Sequence, residues 1–77
     1  MRHPSVEALK TSRLIADIRH VVDILNDDIA EEEARSGISD RRKAGYPVRA
    51  RALIARRDNL ESTIASLQQR VGGEREA

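Results

Sequence analysis

GISDRRKAGYP, residues 37–47, decides whether this chain is one long rod or two helices folded back on each other. Gly37 suits the left-handed turn that ends a helix, and Ile38 then stands where a Schellman motif places its apolar contact. Ser39 or Asp40 is placed to cap a short turn through Arg41, Arg42 and Lys43. Gly45 breaks that turn. Pro47 biases Tyr46 toward extended backbone and fits the first position of a new helix. The expected connection is 37–46.

Upstream, the spacing predicts a helix over 5–36. Ser5 is the expected N-cap, with Glu7 favourably charged in the first turn. Leu14, Ile15, Ile18, Val21, Val22, Leu25 and Ile29 recur at helical intervals and sweep an arc of about 120° at ~100° per residue. Ile24 widens that arc on its other side. Glu31, Glu32 and Glu33 crowd the negative end of the helix dipole and call for cations nearby. Arg35, Arg49 and Arg51 are the candidates. Val6 and Leu9 fall beyond the last turn of the second helix in the register chosen below, and fraying of the first turns is expected.

Downstream, a helix is expected over 47–71. Ala50, Leu53, Arg57, Leu60, Ile64, Leu67 and Val71 alternate spacings of three and four, the pattern of a narrow coiled-coil seam. Gly72 and Gly73 are expected to stop it, leaving 72–77 as a disordered tail in a single domain, 1–77.

Folded antiparallel, the two seams can pair only where residue numbers total 78, 85 or 92. A total of 92 sets Arg57 against Arg35, and a total of 78 sets Tyr46 against Glu32. A total of 85 centres the turn between Arg42 and Lys43. It pairs Leu14 with Val71, Ile18 with Leu67, Val21 with Ile64, Leu25 with Leu60, and Asp28 with Arg57. The expected register is 85, with Asp28–Arg57 as a register-setting ion pair, since a slip would strand both charges.

The core is small. The chain has one aromatic residue, Tyr46, and no cysteine to staple it. Small domains of this size rarely supply more than about 3–5 kcal/mol from one core. In this register Ile15, Val22 and Ile29 form a second apolar line beside the seam, with Ile24 on the opposite flank. These four residues are the expected self-association or partner face. The fold expected is therefore an all-α antiparallel two-helix hairpin that dimerises into a four-helix bundle. Asn26, just past the Ile15 edge, is expected to be solvated.

Charge is unevenly spread although the net is only +1. Residues 1–38 carry a net of −3 and residues 39–77 a net of +4. No acid interrupts the seven bases from Arg41 to Arg57. Internal pairing between an acidic and a basic helix explains this economically. The alternative is a polyanion contact through Arg41, Arg42, Lys43, Arg49 and Arg56, with Arg51 and Arg57 nearby, as in an RNA- or DNA-binding regulator. Stacking gives that alternative little help, because Tyr46 stands alone.

Chemistry has few footholds. In Asp17-x-x-His20 and His20-x-x-Asp23, His20 and Asp23 point away from the apolar stripe and Asp17 sits at its edge, and i, i+4 pairs of the acids with Arg13 and Arg19 suffice to explain them. The Asp27–Glu33 acids lack the alternating spacing and glycine of a calcium loop. No metal, no cofactor and no catalytic residue is expected, and the protein is not expected to be an enzyme. No apolar run reaches the ~20 residues needed to span a bilayer, and the polar face of the first helix has the wrong sign for anionic lipid. A cytoplasmic location is expected. The expected role is a small non-catalytic interaction or adaptor protein. Its partners would be its own copy or a protein presenting an amphipathic helix.

Overall fold

The computed structural model describes residues 5–76, with side chains to Val71. Two helices, α1 (Val6–Ser36) and α2 (Val48–Glu76), pack side by side as an antiparallel hairpin. The molecule measures 54 × 18 × 16 Å, so each helix has one neighbour and one covered face.

The ends of α1 follow from local chemistry. The Ser5 side chain accepts a 3.0 Å hydrogen bond from the Ala8 amide. At the other end Gly37 sits at φ 74°, and its N–H donates to the Glu33 carbonyl at 2.9 Å. That single bond is the simple left-handed cap rather than the expected Schellman pair. The Ile38 amide, which would have made the second bond, donates to Ser36 Oγ instead, at 3.1 Å. Two successive turns then carry the chain across. Lys43 donates to the Asp40 carbonyl and Tyr46 to the Lys43 carbonyl, both at 3.1 Å. The Asp40 carboxylate accepts from the Arg42 amide at 3.0 Å.

α2 covers the seam expected of it. Ala50 and Ile64 are buried, and Leu53, Arg57, Leu60, Leu67 and Val71 are partly covered, with Ile54 buried on the flank. The helix continues through Gly72 and Gly73 to Glu76, past the stop expected at Val71. Glycine costs about 1 kcal/mol in a helix relative to alanine, but it ends one only by turning left-handed. Gly37 is the one glycine with positive φ among the described residues. Residue 77 of the expected tail lies outside them.

α1 is rotated from its expected setting. Its covered positions include Ala8, Thr11, Ile15, Ile18, Val22, Leu25, Ile29 and Glu32, again alternating three and four, with Asp28 and Glu33 half-buried on either side. Ile18 and Leu25 are shared with the expected seam. Leu14 and Val21 are instead exposed, at 48% and 37%, while Val22 and Ile29 are buried. The physical reason lies in the line each setting must bury. Leu14–Val21–Asp28 contains a carboxylate, whose desolvation needs a well-placed partner. Ile15–Val22–Ile29 is wholly aliphatic, and each such side chain gains about 1.5–3 kcal/mol when fully buried.

The register moves with the rotation. Polar contacts join Glu33 of α1 to Tyr46 in the connection, and Glu32 and Asn26 of α1 to Arg49 and Arg57 of α2. Their residue numbers total 79, 81 and 83, short of the expected 85. Asp28 therefore misses Arg57. Near the turn, Ile29, Tyr46, Ala50 and Ile54 form one buried cluster with Ile38 and Leu53 against it.

Candidate interaction face

Once α2 covers one side of α1, a second stripe is left largely outside. Lys10, Leu14, Asp17, Val21 and Ile24, all exposed, and Asp28, half-buried, alternate spacings of four and three along it. At ~100° per residue, this stripe lies about 100° around α1 from the seam. That is close to the angle at which a helix in a four-helix bundle meets its second neighbour. Leu14, Val21 and Ile24 are its apolar members, and all three are exposed. Val6 and Leu9 are exposed nearer the open end, where with Lys10 and Arg13 they line a shallow depression. On α2, Val48 is the exposed large hydrophobic residue among those described.

The expected partner face is thus split. Ile24 stays outside, but Val22 and Ile29 are consumed by the hairpin's own core and Ile15 is half-covered. Leu14 and Val21, expected inside, are exposed instead. The periodicity of α1 shows both lines equally well, because Ile18 and Leu25 serve either seam.

The expected Asp28–Arg57 ion pair is absent from the described contacts. Arg57 crosses the interface to Asn26, donating from Nη1 to Oδ1 at 3.0 Å. Its Nε and Nη2 donate to Asp58 Oδ1 at 3.2 and 3.1 Å, and Glu61 lies 3.9 Å away. Asn26 is thereby a cross-helix acceptor rather than a purely solvated side chain. Asp28 is half-buried without an ion-pair partner among the described residues.

The acidic end of α1 is neutralised locally. Arg35 holds Glu31 and Glu32 at 3.2 Å each, and Arg49 reaches Glu32 at 3.6 Å from the returning helix. Arg51 does something else. It lies over the Tyr46 ring at 5.3 Å, a cation–π distance, and donates to the Arg41 carbonyl at 2.6 Å. Tyr46 is 3% exposed, and its hydroxyl donates to Glu33 Oε2 at 2.7 Å. Burial, together with the Glu33 carboxylate that accepts the hydroxyl's hydrogen bond and repels a phenolate, pushes the phenol above its ordinary pKa of 10.0. No signal short of the fold marked Tyr46 as an anchor, although a lone aromatic beside a Gly-x-Pro turn is a fair place to look.

The basic stretch divides accordingly. Arg49 and Arg51 serve the fold, while the side chains of Arg41, Arg42, Lys43 and Arg56 are exposed and unpaired among the described residues. His20 and the carboxylates flanking it, Asp17 and Asp23, are exposed on α1. No helix among the described residues is long and apolar enough to cross a membrane.

Comparison with protein-family models, with curated proteins and with solved structures finds no match for this chain.

Proposed function

We propose that this hairpin is a non-catalytic interaction module that presents the outer stripe of α1 to another helix, first of all its own copy, to complete a four-helix bundle. The observation that carries this is the alignment of Leu14, Val21 and Ile24, three exposed aliphatics in one line on a molecule only two helices thick. A narrow aliphatic line with charged margins is what a helix–helix contact uses. Sedimentation equilibrium across a wide concentration range tests it. The parent should self-associate, while Val21→Glu and Ile24→Glu should be monomeric with helix content unchanged. A stable parent that stays monomeric at every concentration overturns the self-association reading.

A second reading rests on the unpaired Arg41, Arg42, Lys43 and Arg56. These cations suit a phosphate backbone, and the reading requires retention on heparin with an affinity that falls steeply as salt rises. Replacing Arg41, Arg42 and Lys43 together by Gln should then abolish retention.

A further inference from the structure

Resting on the self-association reading, we infer that two copies pair through α1 in antiparallel orientation, with Lys10 of each copy facing Asp28 of the other. The outer stripe is palindromic in its spacing. Lys10, Leu14, Asp17, Val21, Ile24 and Asp28 step by four, three, four, three and four. A two-fold axis across its centre sets Leu14 opposite Ile24 of the second copy and Val21 opposite Asp17. The two outermost layers then join Lys10 to Asp28 of the second copy.

Charge selects this arrangement over the others. In a parallel two-fold dimer each residue faces itself, so Lys10, Asp17 and Asp28 would all meet like charge, a strong bias against that orientation. Shifting the antiparallel pairing by one heptad in one direction sets Asp17 against Asp28 twice. Shifting it in the other sets Leu14 against Asp17 and Ile24 against Glu7, leaving no aliphatic layer. The inferred register matches aliphatic to aliphatic in two layers and opposite charge to opposite charge in two. The two central layers set Asp17 against Val21, an exposed carboxylate beside an exposed aliphatic, with no like charge opposed. Neither Lys10 nor Asp28 has an ion-pair partner within the hairpin among the described residues, so both are available. The half-covered setting of Asp28 also shields its pair from solvent more than a fully exposed one.

Charge exchange tests the register. Lys10→Glu alone sets acid against acid in both outer layers, and Asp28→Lys alone sets base against base. Each variant should lose association about ten-fold or more, with circular dichroism unchanged. Mixing the two variants restores both layers as opposite-charge pairs, so the mixture should associate as a heterodimer near the parent's affinity. Because the chain has no cysteine, a cross-link adds an independent readout. A mixture of Leu14→Cys and Ile24→Cys should form a disulfide, while Leu14→Cys alone should not, its two copies lying about 15 Å apart along the axis. Neutral charge reversals, or a Leu14→Cys chain that links to itself, would overturn this register while leaving self-association standing. A monomeric parent would overturn both.

Discussion

Tyr46 donates a 2.7 Å hydrogen bond from its hydroxyl to the carboxylate of Glu33, thirteen residues back along the chain. The contact ties the end of the connection to the last turns of α1. Ile29, Ala50 and Ile54 close around the ring, and Arg51 lies over one face. This cluster sets where α2 begins its return, and so sets the register of the hairpin.

Removing the ring should cost more than removing the hydroxyl. Tyr46→Phe keeps the packing and loses the bond to Glu33; Tyr46→Ala loses both. Urea midpoints followed by circular dichroism should fall in the order parent, Tyr46→Phe, Tyr46→Ala. Equal midpoints for parent and Tyr46→Ala would remove the anchor.

Alkaline pH should weaken the fold through the same residue. The folded phenol is held above 10.0, first by burial and then by Glu33, so the folded state keeps its proton more tightly than the unfolded chain. That stability is fully present below pH 10.0 and is lost as pH rises through the raised folded value. The parent's unfolding midpoint should decline over that window more steeply than that of Tyr46→Phe. Tyr46 is the single tyrosine, so phenolate absorbance reports its titration directly.

Core truncations distinguish the two settings of α1. Ile29→Ala opens a cavity in the cluster near the turn and should cost about 2–5 kcal/mol, enough to unfold so small a domain. Leu14→Ala, measured at concentrations where the chain is monomeric, should change stability by no more than about 0.5 kcal/mol. The reverse order would restore the Leu14–Val21–Asp28 seam.

Arg57 should couple to Asn26 and not to Asp28. A double-mutant cycle of Asn26→Ala with Arg57→Ala should show about 0.5–1 kcal/mol of interaction. The cycle of Asp28→Leu with Arg57→Leu should show none in the monomer. Strong coupling in the second cycle would contradict the observed register.

Gly37→Ala should destabilise by roughly 1–2 kcal/mol, because φ 74° brings a Cβ against its own carbonyl. No neighbouring atom obstructs that Cβ, so the cost is purely conformational. Thermal melts of the variant check this. An unchanged melting temperature would mean the helix end is not held left-handed.

Much of this architecture is legible in the residues themselves. Gly37, Gly45 and Pro47 announce the reversal, Ser5 announces the start of α1, and the three-four spacing from Ala50 to Val71 announces the face of α2. The candidate face was legible only in part. Ile18 and Leu25 belong to either of two overlapping stripes, so periodicity left α1 free to roll by about half a residue's turn, ~50°. Asp28 faces Arg57 in one setting and forms no ion pair with it in the other.

Local chemistry along the chain therefore determined that there would be two amphipathic helices, where each begins, and that they would fold back on each other. Tertiary structure alone decided which stripe of α1 is hidden and which is left exposed. The reason is that helix formation is satisfied by hydrogen bonds within a few residues, whereas the roll of one helix on another is settled by a comparison across the interface. Covering Ile15, Val22 and Ile29 beside a docked Tyr46 won that comparison: that line is wholly aliphatic and the one carboxylate in the observed seam, Glu32, is met by Arg35 and Arg49, whereas Asp28 has no ion-pair partner among the described residues.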